Sequence, residues 1–122
     1  MIVAGFGFRA GASVASLRSA YELAAPGHTV TALATASDKA RDECLTDLAG
    51  VLGLPVLAID PDAIRSMHTL TRSPRVAQTR GTGSLAEAAA LAASGPGARL
   101  IAPRHISPDR LATCAIAIGV EP

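Results

Sequence analysis

The sequence predicts a three-layer α/β/α domain whose sheet has five or six strands, mostly parallel. Strand-like and helix-like blocks alternate along the chain, which is the pattern of a layered α/β fold. Apolar residues make up 49% of the 122 residues and are spread in short blocks, enough to bury a core. A chain of this length fits one compact domain, which we assign to residues 1–122.

Five β-rich blocks define the predicted strands, at residues 2–8, 29–34, 54–59, 99–102 and 113–118. Helices are predicted to begin at Ser13, at Ser37 or Asp38, at Asp60 and at Ser84. In the last of these, Ser84 and Glu87 match a capping box, in which each side chain satisfies the other's free backbone donor. The polar segment 103–110 is predicted to be a loop that joins the last two strands.

The composition argues against several classes of partner. The net charge of +1 gives no general attraction to nucleic acid, and so few aromatic residues offer no base-stacking platform. No apolar run reaches the roughly 18 residues that a transmembrane helix needs, so we predict no membrane partner. Met1 leads directly into a strand-like segment without a basic leader, and we expect a cytoplasmic protein.

The cysteines and histidines form no metal-binding pattern. Cys44 and Cys114 lie far apart in apolar segments, which predicts two reduced, buried thiols. His28, His68 and His105 are equally scattered, so we predict neither a metal site nor a cofactor.

Three glycine-rich or polar segments are the candidates for ligand binding: residues 5–11, 35–39 and 81–84. Each leads into a predicted helix N-terminus, where free N–H groups and the helix dipole favour an anion. Parallel strands end at one edge of a sheet, so we expect these segments to converge on one cleft. Such a cleft would suit a ligand with several carboxylates.

Each candidate residue also has a structural interpretation. Gly5, Gly7 and Gly11 fit a close helix–strand approach as well as they fit ligand approach. Ser84 and Glu87 are better explained as capping partners than as catalysts. The arginine-rich segment 65–80 is either a lid that grips carboxylates or a solvated loop.

Residues 5–10 also match G-x-G-x-x-A, a variant of the dinucleotide-binding fingerprint. That fingerprint requires an acidic residue at the end of the second strand, where this chain has Thr35-Ala36-Ser37. We therefore do not predict a nicotinamide cofactor.

Ordered blocks along the chain resemble the CobE/CbiG C-terminal family of cobalamin biosynthesis. Gly5-Phe-Gly-Phe-Arg-Ala-Gly11 resembles its opening turn, and Leu33-Ala-Thr-Ala-Ser-Asp-Lys39 its alanine-threonine block. Gly83-Ser-Leu-Ala-Glu-Ala-Ala-Ala-Leu91 is similar to its alanine-rich helix, and residues 98–103 and 113–117 to its closing strands. Arg104 stands where the family usually has lysine, and Ala10 where it often has a second basic residue.

The resemblance implies a role in cobalamin (vitamin B12) biosynthesis. The first hypothesis is a carrier or accessory module that binds a polycarboxylate precorrin or corrin intermediate. The second is an enzyme of the ring-contraction stage, a hydrolase acting on the precorrin lactone or a rearrangement catalyst, with Ser84, Glu87 or Lys39. The third is a scaffold that docks other cobalamin-pathway enzymes. The candidate substrate-binding residues are Gly5, Gly7, Arg9, Gly11, Ser13, Thr35, Lys39, Gly81, Gly83, Ser84 and Glu87.

Overall fold

The computed structural model describes residues 1–67 and 84–120. The strands are β1 (Ile2–Phe8), β2 (Ala32–Ala36), β3 (Val56–Ile59), β4 (Arg99–Ile106) and β5 (Ala112–Ile118). They form one five-stranded sheet in the order β3-β2-β1-β5-β4. The helices are α1 (Val14–Ala24), α2 (Glu43–Leu52), α3 (Pro61–Arg65) and α4 (Leu85–Ser94). The α1–α2 pair packs on one face of the sheet and the α3–α4 pair on the other, which confirms a mixed α/β fold in three layers.

The strand directions correct the prediction of a mostly parallel sheet. The β1–β2 and β2–β3 pairs are parallel, but β5 runs antiparallel to both of its neighbours, β1 and β4. The reason is that β4 continues to Ile106, so only residues 107–111 separate it from β5. So short a connection makes a hairpin, whereas a parallel pair needs a crossover of about a dozen residues or more.

The face of the sheet that α1 and α2 cover is packed with large side chains. Phe6 and Leu33 from the sheet, Leu17 from α1 and Leu45 and Leu48 from α2 are all fully buried in one cluster. These side chains supply most of the bulk of that layer, because each one removes a large apolar surface from water.

The face that α4 covers is packed with small residues. Ala32, Ala34 and Ala36 of β2 lie under α4, whose own Ala88 and Ala89 point into the same cluster. Gly5 permits the closest approach, since a Cβ there would lie 2.1 Å from the Ala86 carbonyl oxygen. The absence of side-chain atoms at Gly5 therefore determines how closely α4 packs on the sheet.

Helix boundaries agree with the sequence at most positions and differ at α2. Ser13 caps α1 and Gly53 ends α2 with a φ of 68°, as expected. However, α2 begins at Glu43 rather than near Asp38, with Asp42 as its N-cap residue. Two successive turn hydrogen bonds, from Lys39 N–H to Ala36 and from Asp42 N–H to Lys39, delay the helix.

The cysteines differ from each other in burial. Both are free, and Cys114 is completely buried in β5 under α1. Cys44 is only half-buried, because it lies in the first turn of α2 beside exposed Glu43, so the prediction that both thiols are buried is wrong for Cys44. Among the described residues, no helix is long and apolar enough to cross a bilayer.

Candidate functional site

One edge of the sheet brings together two of the predicted binding segments and the start of α4. We call it the carboxyl edge, because β1 and β2 both end there; it comprises residues 9–13, 37–42 and 107–111 and the N-terminus of α4. Phe8, the last residue of β1, pairs with Ala112, the first residue of β5. The β4–β5 turn therefore lies at the same edge as the turn that follows β1.

Lys39 joins the segment after β2 to the end of β1. Its Nζ donates a 2.8 Å hydrogen bond to the Phe8 carbonyl oxygen and lies 4.6 Å from the centre of the Phe8 ring. An ammonium group over an aromatic face gains electrostatic attraction in addition to the hydrogen bond. Residues 35–39 and 5–11 are thus in direct contact, as the convergence prediction requires.

The third predicted segment is represented by the first residues of α4. Gly7 faces this helix start, since a Cβ on Gly7 would lie 3.4 Å from Leu85 Cβ and 3.7 Å from the Ala86 nitrogen. Gly81 and Gly83 lie outside the described residues, as do Arg72, Arg75 and Arg80 of the arginine-rich segment 65–80.

Arg65, the first arginine of that segment, lies in α3 and forms an ion pair with Asp62. It is the one arginine of the segment 65–80 whose placement the structure describes.

Ser84 and Glu87 are both buried and both hydrogen-bonded. The Ser84 hydroxyl accepts from the Glu87 backbone N–H at 3.3 Å, which confirms the Ser84 half of the predicted capping box. The Glu87 carboxylate extends to β4 and accepts from the Arg104 backbone N–H at 2.9 Å. Glu87 therefore ties α4 to an edge strand whose regular pairing is interrupted between Ala102 and His105.

Several predicted binding residues have clear structural roles. Gly5 and Gly7 lie within β1 beneath α4, which supports the close-approach interpretation of both. Thr35 is fully buried and its hydroxyl donates to the Phe6 carbonyl oxygen at 2.8 Å. Gly11 differs from these, because it is exposed in the turn after β1 and has a φ of 93°.

A network centred on Asp109 holds the β4–β5 turn against α1. Asp109 accepts 2.6 Å hydrogen bonds from the hydroxyls of Ser16 and Ser107 and a 3.0 Å bond from the Leu111 backbone N–H. These bonds lower the pKa of the Asp109 carboxyl group. Ser16 in turn completes a capping box with Ser13, so the predicted residue Ser13 belongs to this network.

Sequence reasoning missed Asp109 because its partner Ser16 is far away along the chain. The local signs were a serine, a proline and an aspartate in succession, which favour a turn but identify no partner.

Four guanidinium groups at or near the carboxyl edge have no acidic partner in the described part of the chain. They belong to Arg9 after β1, Arg41 before α2, Arg104 in β4 and Arg110 in the β4–β5 turn. Arg9 and Arg110 are exposed, and the Arg9 backbone N–H donates to the Leu111 carbonyl oxygen at 2.9 Å. Unpaired guanidinium groups of this kind can bind carboxylates through two parallel hydrogen bonds.

An apolar groove lies at the opposite end of α4 from the carboxyl edge. Its volume is about 610 Å³, and it runs between α3, the last turns of α4 and residues 95–98. Ser66 is the one hydroxyl among the side chains that line it. Elsewhere in residues 1–67 and 84–120, no three His, Cys, Asp or Glu side chains are grouped so that they could hold a metal ion.

The family match and two solved structures indicate the same family. The family model for the cobalamin synthesis G C-terminus matches residues 2–117. CobE, a protein from the cobalamin (vitamin B12) biosynthetic pathway, is 30% identical, with a TM-score of 0.85 over 96% of this chain and 89% of that chain. The cobalamin biosynthesis protein ChiG from Agrobacterium tumefaciens is 34% identical, with a TM-score of 0.72 over 99% of this chain and 100% of that chain.

A more distant structure shares the fold alone. A putative cobalamin biosynthesis protein G homolog from Sulfolobus solfataricus is 21% identical, with a TM-score of 0.67 over 95% of this chain and 36% of that chain. No curated protein matches the chain. The family match and the two nearer structures agree with the fold described above, and the chain belongs to the cobalamin synthesis G C-terminus family, as a protein of cobalamin biosynthesis.

Proposed function

We propose that this domain binds a polycarboxylate precorrin or corrin intermediate at the carboxyl edge and acts as a carrier or accessory module of cobalamin biosynthesis. The observation that supports this most directly is the presence of Arg9, Arg41, Arg104 and Arg110 at or near this edge without acidic partners in the described residues. Precorrins bear several acetate and propionate arms, and arginine is the side chain best suited to grip carboxylates.

The contacts of the candidate catalytic groups favour a carrier over an enzyme. The Ser84 hydroxyl caps α4, and the Lys39 ammonium is bound to the Phe8 carbonyl oxygen. Glu87 supports the backbone of Arg104. A nucleophile needs a neighbouring base that can take its proton, and neither Ser84 nor Lys39 has such a partner among its hydrogen bonds in the described structure.

The scaffold hypothesis requires an exposed apolar patch. The exposed large apolar side chains of the described chain are Leu23 in α1, Val51 in α2, Ile106 in β4, and Met1 and Val120 at the ends of the chain, which adjoin through the bond from the Gly119 N–H to the Met1 carbonyl oxygen. The apolar groove between α3 and the end of α4 is the surface on which a scaffold role would rest. The carrier is the better-supported function, because the arginines without acidic partners lie at or near the carboxyl edge, at the other end of α4.

The decisive experiment is incubation of the purified protein with isolated precorrin intermediates, followed by absorbance spectroscopy and mass spectrometry. A stable complex in which the ligand mass is unchanged is the expected result. A changed ligand mass would instead demonstrate an enzyme, and the absence of any complex would overturn the proposal.

A matched pair of arginine variants locates the binding site. Arg9→Ala should weaken binding by about tenfold or more, because a charged hydrogen bond contributes roughly 1.5–3 kcal/mol. Arg99 is also exposed, but it is the first residue of β4 and lies beside the amino end of β1, away from the carboxyl edge. Arg99→Ala should therefore bind as the wild type does, and equal losses in both variants would count against a site at the carboxyl edge.

A further inference from the structure

We infer that Arg110 is a second carboxylate-binding residue, which the β4–β5 turn presents next to Arg9. The inference rests on the proposed function and deepens it, because it assigns one carboxylate arm of the intermediate to a pair of arginines. Neither local sequence pattern nor the family resemblance singled out Arg110.

The backbone at Arg110 is strained. Its φ is 63°, and it is the one residue other than glycine with a positive φ in the described parts of the chain. The Arg110 N–H donates to the Ser107 carbonyl oxygen at 2.8 Å, which closes a turn with Pro108 at its second position. Hairpins commonly place a left-handed residue directly after the two central residues of such a turn, where Arg110 stands, and glycine adopts that conformation without steric cost.

The arginine side chain does not compensate for this strain through a contact with the fold. Arg110 is exposed, and its guanidinium forms no hydrogen bond or ion pair with the described residues. The neighbouring Asp109 forms no ion pair with Arg110; its carboxylate accepts from Ser16, Ser107 and Leu111 instead. A strained residue whose side chain does nothing for folding points to a role in binding.

The backbone also places Arg110 beside a second arginine. Arg9 donates its N–H to the Leu111 carbonyl oxygen at 2.9 Å, so the turns that contain the two arginines are joined by one hydrogen bond. The Asp109 network fixes the same turn to α1 and thereby limits its movement. Two guanidinium groups that project from the same rigid surface can both bind one carboxylate.

The test separates stability from affinity, with uroporphyrin as a stable polycarboxylate macrocycle. Arg110→Gly should raise Tm by about 3–6 °C, because glycine relieves the left-handed strain. The same variant should bind uroporphyrin about tenfold more weakly, whereas Arg110→Lys should lose less affinity because it retains the charge. Arg99→Ala, away from the carboxyl edge, is the control for loss of an exposed arginine.

If Arg110 had a purely structural role, Arg110→Gly would not give both higher stability and weaker binding. If Arg110→Gly binds uroporphyrin as tightly as the wild type, or is less stable than the wild type, the inference is wrong while the proposed function stands. If the wild type binds no uroporphyrin, the assignment of carboxylates to the arginine pair fails. The precorrin mass-spectrometry experiment then decides independently whether the proposed function fails as well.

Discussion

The two faces of the sheet achieve close packing by opposite means. Under α1 and α2 the space is filled by large side chains such as Phe6, Leu17 and Leu48. Under α4 there is almost no space to fill, because Gly5 and a series of alanines let the helix backbone approach the strands. The first face should therefore be sensitive to the removal of atoms and the second to their addition.

The strongest test of this comparison is Gly5→Ala. The added methyl group would lie 2.1 Å from the Ala86 oxygen and 2.6 Å from the Ala90 nitrogen, both of them backbone atoms that cannot rotate away. We expect a protein that fails to reach the native state, or one destabilised by more than about 3 kcal/mol. Circular dichroism and urea unfolding measure the effect.

Gly50→Ala is the matched control for this substitution. Gly50 lies within α2, and a Cβ there would meet nothing within 4 Å. Because alanine is the better helix former, this variant should gain about 0.5–1 kcal/mol. A Gly5→Ala protein as stable as the wild type would show that α4 is free to move away from the sheet.

The opposite face is tested by Leu17→Ala. Leu17 is fully buried between α1 and the sheet, so truncation leaves a cavity and should cost about 2–5 kcal/mol. Leu23 lies in the same helix but is 50% exposed, and Leu23→Ala should change stability by no more than about 0.5 kcal/mol. Similar losses at both positions would mean that α1 is not packed as a core helix.

The same contrast explains what could be predicted from the sequence. The apolar periodicity of α1 and the β-rich blocks located the layers, because burial of large side chains leaves a pattern in the order of residues. The alanine-rich block 85–93 predicted α4. Close helix–strand approach was one of the two interpretations of Gly5, but the sequence did not identify α4 as the helix that approaches it.

Strand directions and contacts between residues that are distant in the sequence could not be predicted in this way. The direction of β5 depends on where β4 ends, because a strand that continues past Pro103 leaves only a hairpin connection to β5. Since proline is tolerated in edge strands, Pro103 by itself does not show whether β4 stops at Ala102 or continues. Lys39 was identified as a ligand candidate, but its bond to the Phe8 carbonyl depends on how the loop after β2 folds back. The Ser16–Asp109 contact likewise joins residues that only the tertiary structure brings together.

The test with the smallest expected effect on stability uses the two thiols to probe how far the core under α1 and α2 extends. Cys114 lies inside that core, where burial raises the pKa of its thiol strongly, while half-buried Cys44 lies in the first turn of α2. Burial, and then the Asp42 carboxylate, raise the pKa of the Cys44 thiol as well, but less. Since the thiolate is the reactive form, labelling of Cys44 should be slow at neutral pH and should still accelerate beyond the pH at which an ordinary thiol has ionised.

We therefore expect one equivalent of 5,5′-dithiobis(2-nitrobenzoic acid) to react with the folded protein and a second only after unfolding. Cys44→Ser should abolish the native-state reaction without altering the unfolding curve appreciably, because the side chain is at the border of the core. Cys114→Ser should leave that reaction intact but destabilise the protein by about 1–3 kcal/mol, since it buries a hydroxyl among apolar groups. If the two thiols reacted at equal rates in the folded protein, the core under α1 and α2 would admit solvent as readily as the start of α2 does.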